Sequence, residues 1–200
     1  KKPTYTPPPQ AAAAKTAAPL AAGNCVVRKP GEQTSLSALR LRDLTEDVFP
    51  PGVLSIVTGY GSTVGSALVR HPDVPRVAFT GSVPTGQRIM ADAAAHVKTL
   101  TLELGGKSAN IVFADADIEQ AAATAPYSVF DNAGQDCCAR SRLLVQRSVY
   151  DRFMERFETA VQNVVVGDPT NEATEVGPLV TASHRDSVAA FLTDDVPIAF

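Results

Sequence analysis

Between residues 24 and 103 the chain repeats one pattern: a short apolar, β-branched run, a glycine-bearing turn, then a helical stretch. Asn24-Cys25-Val26-Val27-Arg28-Lys29 reads as a strand, closed by the turn Lys29-Pro30-Gly31-Glu32. Thr34 and Ser35 offer capping hydroxyls to a helix with a ragged stripe of Leu36, Leu39 and Leu44. Pro51-Gly52 precedes a second strand, Val53–Val57, and Gly59-Tyr60-Gly61-Ser62-Thr63-Val64-Gly65 opens a helix to about Arg70. Val77-Ala78-Phe79 is a third strand. The turn Thr80-Gly81-Ser82-Val83-Pro84-Thr85-Gly86 then starts a helix over about 85–95, with Pro84 acceptable in its first turn. A last apolar run, Val97–Leu102, follows. This rhythm predicts parallel strands joined by right-handed helical crossovers, with the glycine loops on one sheet edge. Nothing in this segment suggests an all-α or all-β fold. The expected class is α/β, a Rossmann-like parallel sheet followed by the start of a second α/β domain.

The second domain should begin past Gly105-Gly106. Asn110–Phe113 reads as a strand, and Asp115 or Asp117 caps a helix carrying Ile118, Ala122, Ala125 and Val129. Pro126 should kink or split that helix. Leu143–Val145 is a further strand. Ser148 with Asp151 resembles a capping box, leading a helix with the stripe Val149, Phe153, Phe157, Val161 and Val164, ended by Gly167-Asp168-Pro169. Those aromatics read as core. A final helix is expected near Ser183–Leu192. The domain expectation is residues 1–22 as a linker or atypical segment, 23–104 as a nucleotide-binding domain and 105–200 as a second domain.

Two hundred residues with 44% apolar content can bury a core as one domain or two small ones. A net charge of −3 gives no argument for nucleic acid or an anionic membrane surface. No apolar run has the length of a membrane-spanning helix. Three cysteines, two of them adjacent, make no disulfide framework, so a reducing, cytoplasmic setting is expected. No Cys/His cluster has zinc-ligand spacing, and His71, His96 and His184 read as structural or surface residues, so no metal is expected.

Two stretches point to chemistry. Asn132-Ala133-Gly134-Gln135-Asp136-Cys137-Cys138-Ala139-Arg140 places two cysteines in a turn-rich junction between a helix and a strand. Such a junction presents a sulfur to a cleft, and the reactive thiolate needs a nearby base or positive field. A buried structural cysteine pair is the plainer reading of the spacing. Upstream, Leu102-Glu103-Leu104-Gly105-Gly106-Lys107 ends an apolar run in one acid and two glycines. Glu103 there suits a general base, or a strand-end acid facing solvent.

Together these stretches resemble the aldehyde dehydrogenase superfamily, and the resemblance runs from about Lys15 to about Val180. Glu103-Leu104-Gly105-Gly106-Lys107-Ser108 is similar to its glutamate signature. Phe130–Cys137 is similar to its cysteine signature, whose register selects Cys137 as nucleophile. The resemblance implies oxidation of an aldehyde to an acid with NAD, Glu103 activating water. It implies cofactor contacts from Lys29 and Glu32 to the adenosine ribose, the acid disfavouring a 2′-phosphate. Gly61 and Gly65 would lie close to the cofactor, Gly81 and Ser82 at the pyrophosphate, and Leu104 and Gly106 on the nicotinamide side. Asp136 and Cys138 would flank the nucleophile and face the aldehyde.

Residues 1–22 depart from the family pattern: ungapped alignment puts Thr6 at the oxyanion asparagine, Ala14 at a usual tryptophan, and Ala18-Pro19 at the reversed dipeptide. Loss of an oxyanion donor costs roughly 10²–10³-fold in rate. Family members are more than twice this length. The chain is therefore expected to be a piece of a homo-oligomeric enzyme, ending on a strand-like Val196–Phe200, with further ribose contacts and the dimerisation strand beyond Phe200. The alternatives are a catalytically impaired binding or scaffold protein and a thiol hydrolase. A coenzyme A-acylating relative would lack the glutamate signature.

Overall fold

The structure, a computed structural model, describes residues 8–193. The chain divides between Gly105 and Gly106 into two compact units. Strand pairing is parallel throughout the described residues, in three two-stranded sheets, which together with the covering helices makes the α/β class expected from the sequence rhythm.

In the first unit, β1 (Val26–Arg28) pairs with β2 (Leu54–Ile56), and β3 (Arg76–Gly81) pairs with β4 (Thr99–Leu104). Each pair is joined by a helical crossover, as parallel strands require. Helix α1 (Pro8–Ala21) precedes β1. The segment expected to be a linker or an atypical N-terminal segment is helical from Pro8, in keeping with the helix preference of its alanines, and it packs on β1 and on α2 (Ser35–Thr45). Buried Thr16 accepts a 3.1 Å hydrogen bond from the Arg28 guanidinium, tying α1 to β1. The Thr6 and Val196–Phe200 expectations fall outside the described residues.

The hydroxyl caps expected for α2 do not form: its N-cap Thr34 makes no side-chain bond. A 3-10 turn over Glu32–Thr34 runs directly into the helix, so the backbone is already turning when α2 starts. The glycine stretch Gly61–Gly65 is a wide π-type turn leading into α3 (Ser66–Arg70). Helix α4 (Val83–Ala94) has Pro84 in its first turn, as expected. Ala38, Val69 and Ala93 are the buried apolar residues of this unit among those described.

In the second unit β5 (Ala109–Val112) pairs with β6 (Arg142–Val145) in register Ala109 to Arg142. The Asp117 carboxylate accepts from the Gln120 amide at 3.1 Å and caps α5 (Ile118–Thr124). Pro126 separates α5 from α6 (Tyr127–Phe130), the split its missing N–H demands. The core is Val112, Ile118, Ala122, Ala125 and Phe153, flanked by Leu143, Val145 and Phe157. Phe153 is fully buried on α7 (Tyr150–Gln162) and stacks on Phe157 at 5.7 Å between ring centroids.

Two expectations fail around α7. The Ser148–Asp151 capping box does not form, because a 3-10 turn over Arg147–Val149 delivers the chain and Val149 is the N-cap. The helix also stops at Gln162 rather than near Gly167. The β-branched Val164-Val165-Val166 leaves it to bridge Val176, with the Val176 amide donating to the Val165 carbonyl at 3.1 Å. Thr181 then caps α8 (Ala182–Ala189) through the His184 amide at 3.1 Å.

Phe153→Ala leaves a cavity under α5 and should lower the unfolding free energy by about 3–5 kcal/mol. Asp117→Ala removes one cap and should lower it by about 1 kcal/mol. Urea titration followed by circular dichroism checks both, and a Phe153→Ala loss no larger than that of Asp117→Ala would contradict the core described above.

Candidate active site

Cys137 sits at a corner built from several independent ties. Asn132, Ala133 and Gly134 adopt left-handed conformations in succession, with φ of 54°, 57° and 72°. Glycine accepts this conformation freely and asparagine tolerates it, but alanine there is strained. The run is held by reciprocal amide bonds: Asn132 Nδ2 donates to the Gln135 carbonyl at 3.0 Å, and Gln135 Nε2 donates to the Asn132 carbonyl at 3.0 Å. Gln135 Oε1 in turn accepts from the Val180 amide at 3.0 Å, pinning the loop to the connector before α8. Asn132 Oδ1 is buried and has no hydrogen-bond partner.

Next comes a tight turn. The Ala139 amide donates to the Asp136 carbonyl at 3.3 Å, and the Cys138 amide donates to the Asp136 carboxylate at 3.0 Å. Cys137 and Cys138 therefore occupy the two central positions of the turn, both exposed, with their sulfurs 3.7 Å apart. The hydrogen bond with Cys138 pushes the Cys137 thiol above its ordinary pKa. Burial and the nearby charges of Cys138 and Asp136 act in the same direction, while its own backbone N–H opposes them. At neutral pH the sulfur is held as the thiol, so a nucleophilic role calls for a base.

The same unit brings Gly106 to this turn. A Cβ on Gly106 would stand 3.4 Å from the Cys137 carbonyl oxygen. The parallel register of β5 and β6 causes the approach. It sets Lys107-Ser108 beside Arg142, whose amide donates to the Ser108 carbonyl at 3.2 Å and whose Nε donates to the Lys107 carbonyl at 2.7 Å.

In the first unit the other expected site residues form two groups, each at the carboxyl ends of a strand pair, where open parallel sheets bind ligands. Beyond β1 and β2, Glu32 Oε1 accepts from the Gly61 amide at 2.7 Å, and Lys29 Nζ lies 3.5 Å from that oxygen while donating to the Gly59 carbonyl at 3.0 Å. The backbone hydrogen bonds, from its own amide and from Gly61, hold the Glu32 carboxyl below its ordinary pKa, and the Lys29 charge adds to them. Gly59 has φ of 142°, and a Cβ there would come within 2.5 Å of Val64 Cγ2, so the turn excludes a side chain. A Cβ on Gly65 would meet the Lys29 stem at 3.8 Å. An open pocket of about 200 Å³ lies here, lined by Pro30, Gly31, Glu32, Ser35, Thr58, Gly59 and Tyr60.

At the carboxyl ends of β3 and β4, the register pairs Thr80 with Glu103 and Gly81 with Leu104. Ser82 is the N-cap of α4, spends no side-chain bond on the helix backbone, and lies 3.0 Å from the Thr85 hydroxyl. Leu104 packs on α4, where a Cβ on Gly86 would meet it at 3.0 Å. Glu103 is exposed on β4. Lys29, Glu32, Gly61 and Gly65 thus share one corner, Gly81, Ser82, Glu103 and Leu104 another, and Gly106 joins Cys137. Glu103 and Cys137 belong to different units.

The aldehyde dehydrogenase family model matches residues 5–197. The chain belongs to the aldehyde dehydrogenase family. It is 47% identical over 186 residues to betaine aldehyde dehydrogenase 2 of Rhizobium meliloti, covering 92% of this chain and 38% of that protein. The crystal structure of PnpE from Pseudomonas sp. WBC-3 superposes with a TM-score of 0.87 at 45% identity, over 95% of this chain and 41% of that one. Betaine aldehyde dehydrogenase from Staphylococcus aureus, solved in complex with NAD+, gives a TM-score of 0.84 at 40% identity, over 88% and 35%. The chain spans well under half the length of these relatives. Among the described residues no helix is long and apolar enough to cross a membrane.

Sequence reasoning missed the Asn132–Gln135–Val180 network and the capping role of Asp136. The turn-forming Asn-Ala-Gly run was the visible signal for the first; nothing in the sequence marks the Val180 amide as its anchor.

Two measurements follow from this geometry. The Gly61 amide tie needs an ionised Glu32, whose folded pKa is depressed. The tie should therefore be complete above the ordinary carboxylate range and be lost only as pH falls through the depressed value. The Gly61 amide shift, followed by NMR on acidification, should move below the ordinary glutamate range, and a midpoint at or above it would contradict the tie. Secondly, Cys138→Ala removes the main influence raising the Cys137 pKa. The pH profile of iodoacetamide alkylation at Cys137 should move to lower pH in that variant.

Proposed function

We propose that the protein to which this chain belongs oxidises an aldehyde to a carboxylic acid with NAD, using Cys137 as nucleophile and Glu103 as base. One observation carries the reading. In an aldehyde dehydrogenase chain, Cys137 stands exposed at the corner of a turn anchored on both sides, with Gly106 backbone against its carbonyl.

The residues fit the cofactor. A carboxylate already accepting from Gly61 and flanked by Lys29, above an open pocket, suits a ribose that offers hydroxyls. The same ionised Glu32 repels a 2′-phosphate, favouring NAD over NADP. Ser82 and the α4 N-terminus suit a pyrophosphate, with Gly81 keeping that approach open. Leu104 and Gly106 would border the nicotinamide. When bound, NAD supplies a hydride acceptor.

The chain's own groups do the rest. Cys137 gives up its proton, its sulfur bonds to the aldehyde carbon, and the carbonyl oxygen becomes an oxyanion stabilised by the Cys137 backbone N–H. Once the carbon has lost its hydride, Cys137 carries the acyl group as a thioester. Glu103 takes a proton from water, which attacks the acyl carbon, and the thiolate leaves as the acid forms. Because the thiol pKa is raised, Glu103 also has work in the first step, accepting the Cys137 proton. Asp136 and Cys138 border the approaching aldehyde. A reducing, cytoplasmic setting accords with three free cysteines, while a homo-oligomer rests on the family resemblance.

The test is NAD-dependent oxidation of short, aromatic and betaine aldehydes by the full-length protein. Cys137→Ala should abolish both turnover and any NADH burst. Glu103→Gln should slow steady-state turnover by roughly 10²–10⁴-fold, with acyl-enzyme accumulating if water activation is its main role. Turnover surviving in Cys137→Ala would overturn the assignment of the nucleophile.

A further inference from the structure

The catalytic reading needs one thiol, yet the turn presents two. The Asp136–Ala139 turn is closed by the Ala139 amide at 3.3 Å and stiffened by the Asp136 carboxylate on the Cys138 amide at 3.0 Å. Its two central side chains are forced onto the same corner, and the sulfurs meet at 3.7 Å. Both are exposed, so an oxidant reaches either one. The preceding left-handed run and its Val180 anchor keep the corner in place. A disulfide needs sulfurs about 2.05 Å apart, so closure asks for side-chain rotation and a local backbone twist within one turn.

We propose that Cys137 and Cys138 form a reversible vicinal disulfide, made by exchange with a low-molecular-weight disulfide such as glutathione disulfide. The Cys137 thiolate attacks one glutathione sulfur, the Cys137–glutathione bond forms, and one glutathione thiolate leaves. The Cys138 thiolate then attacks the Cys137 sulfur and expels the second glutathione. Two protein thiols lose two electrons and two protons in all, and glutathione disulfide gains both as two thiols. Neighbouring cysteines have Cα atoms about 3.8 Å apart, shorter than the usual disulfide range of about 4.4–6.8 Å. The ring is therefore strained and reopens readily to a dithiol, as labile disulfides do. The ring places the nucleophilic sulfur in a bond where it cannot attack an aldehyde and is shielded from irreversible oxidation. That consequence rests on the proposed role of Cys137, while the exchange chemistry rests on the turn alone.

The experiment treats the protein with glutathione disulfide, blocks remaining thiols with iodoacetamide, and reads the tryptic peptide Ser108–Arg140 by mass spectrometry without reduction. The expected product has lost two hydrogens, carries neither glutathione nor alkyl groups, and regains two alkylation sites after dithiothreitol. In Cys138→Ser the same treatment should leave glutathione bound stably at Cys137. A wild-type peptide that keeps two alkylatable thiols, retains glutathione as the variant does, or pairs with Cys25 would overturn the proposal. Activity is measured on the same full-length samples. Loss on oxidation with return on dithiothreitol supports both readings, whereas a formed ring with unchanged turnover keeps the disulfide and removes Cys137 as nucleophile.

Discussion

Parallel register is the constraint on which the site depends. Pairing Ala109 with Arg142 commits the chain to re-enter the sheet beside the point where it left the glycine segment. Gly106, Lys107 and Ser108 must then lie alongside the stretch that ends in Arg142, and Arg142 locks that arrangement with two bonds to Lys107 and Ser108 carbonyls. An antiparallel partner would send the Cys137 loop to the other end of the pair. The close approach of Gly106 to the Cys137 carbonyl is thus a consequence of strand direction before it is a matter of side chains. The missing Cβ at Gly106 is what allows it.

The same rule organises the first unit. Each crossover returns to a parallel neighbour, so the turns after β1 and β2 come out together, and so do those after β3 and β4. Lys29 and Glu32 follow β1, while Gly59 and Gly61 follow β2. The Lys29–Gly59 and Glu32–Gly61 bonds are contacts across residues distant in sequence that the ladder makes local, and the Lys29–Glu32 ion pair, three residues apart, ties the two together. Exposed ion pairs contribute little by themselves, and Lys29–Glu32 is partly exposed. Its value lies in orientation: the Gly61 amide fixes one carboxylate oxygen, and the lysine is held by the Gly59 carbonyl.

The strands, the crossover helices, the Pro126 break and the Asp117 cap were legible because each is set by residues within a few positions of one another. Strand ends were legible to within two residues. The failures share a cause. Thr34 and the Ser148–Asp151 pair have the chemistry of caps, but 3-10 turns over Glu32–Thr34 and Arg147–Val149 feed the helices and take the capping positions. Propensity alone carries no information on how the preceding backbone arrives. The alanine-rich start, expected as a linker or atypical segment, is a helix because alanine favours helix and neighbouring β1 and α2 give it a surface to pack on. The Cys137 loop was legible as a motif and not as a geometry. The Gln135–Val180 bond joins residues far apart in the chain, and only the folded connector brings that amide within reach.

The loop holds strain where rigidity is wanted and leaves reactivity to be switched on. Ala133 in a left-handed conformation costs on the order of 1–2 kcal/mol, and the amide ring around it, with the Val180 anchor, offsets that cost and leaves the loop few alternatives. A rigid corner fixes where the Cys137 sulfur sits, but it does not ionise it. The neighbouring thiol and the Asp136 charge favour the protonated form, against the cysteine's own N–H. A permanently ionised thiolate in so exposed a position would react with any passing electrophile or oxidant. Under the proposed function, holding the proton until a base and an aldehyde are present would confine Cys137 to its substrate. On this argument Asp136 and Cys138 restrain Cys137 as much as they position it.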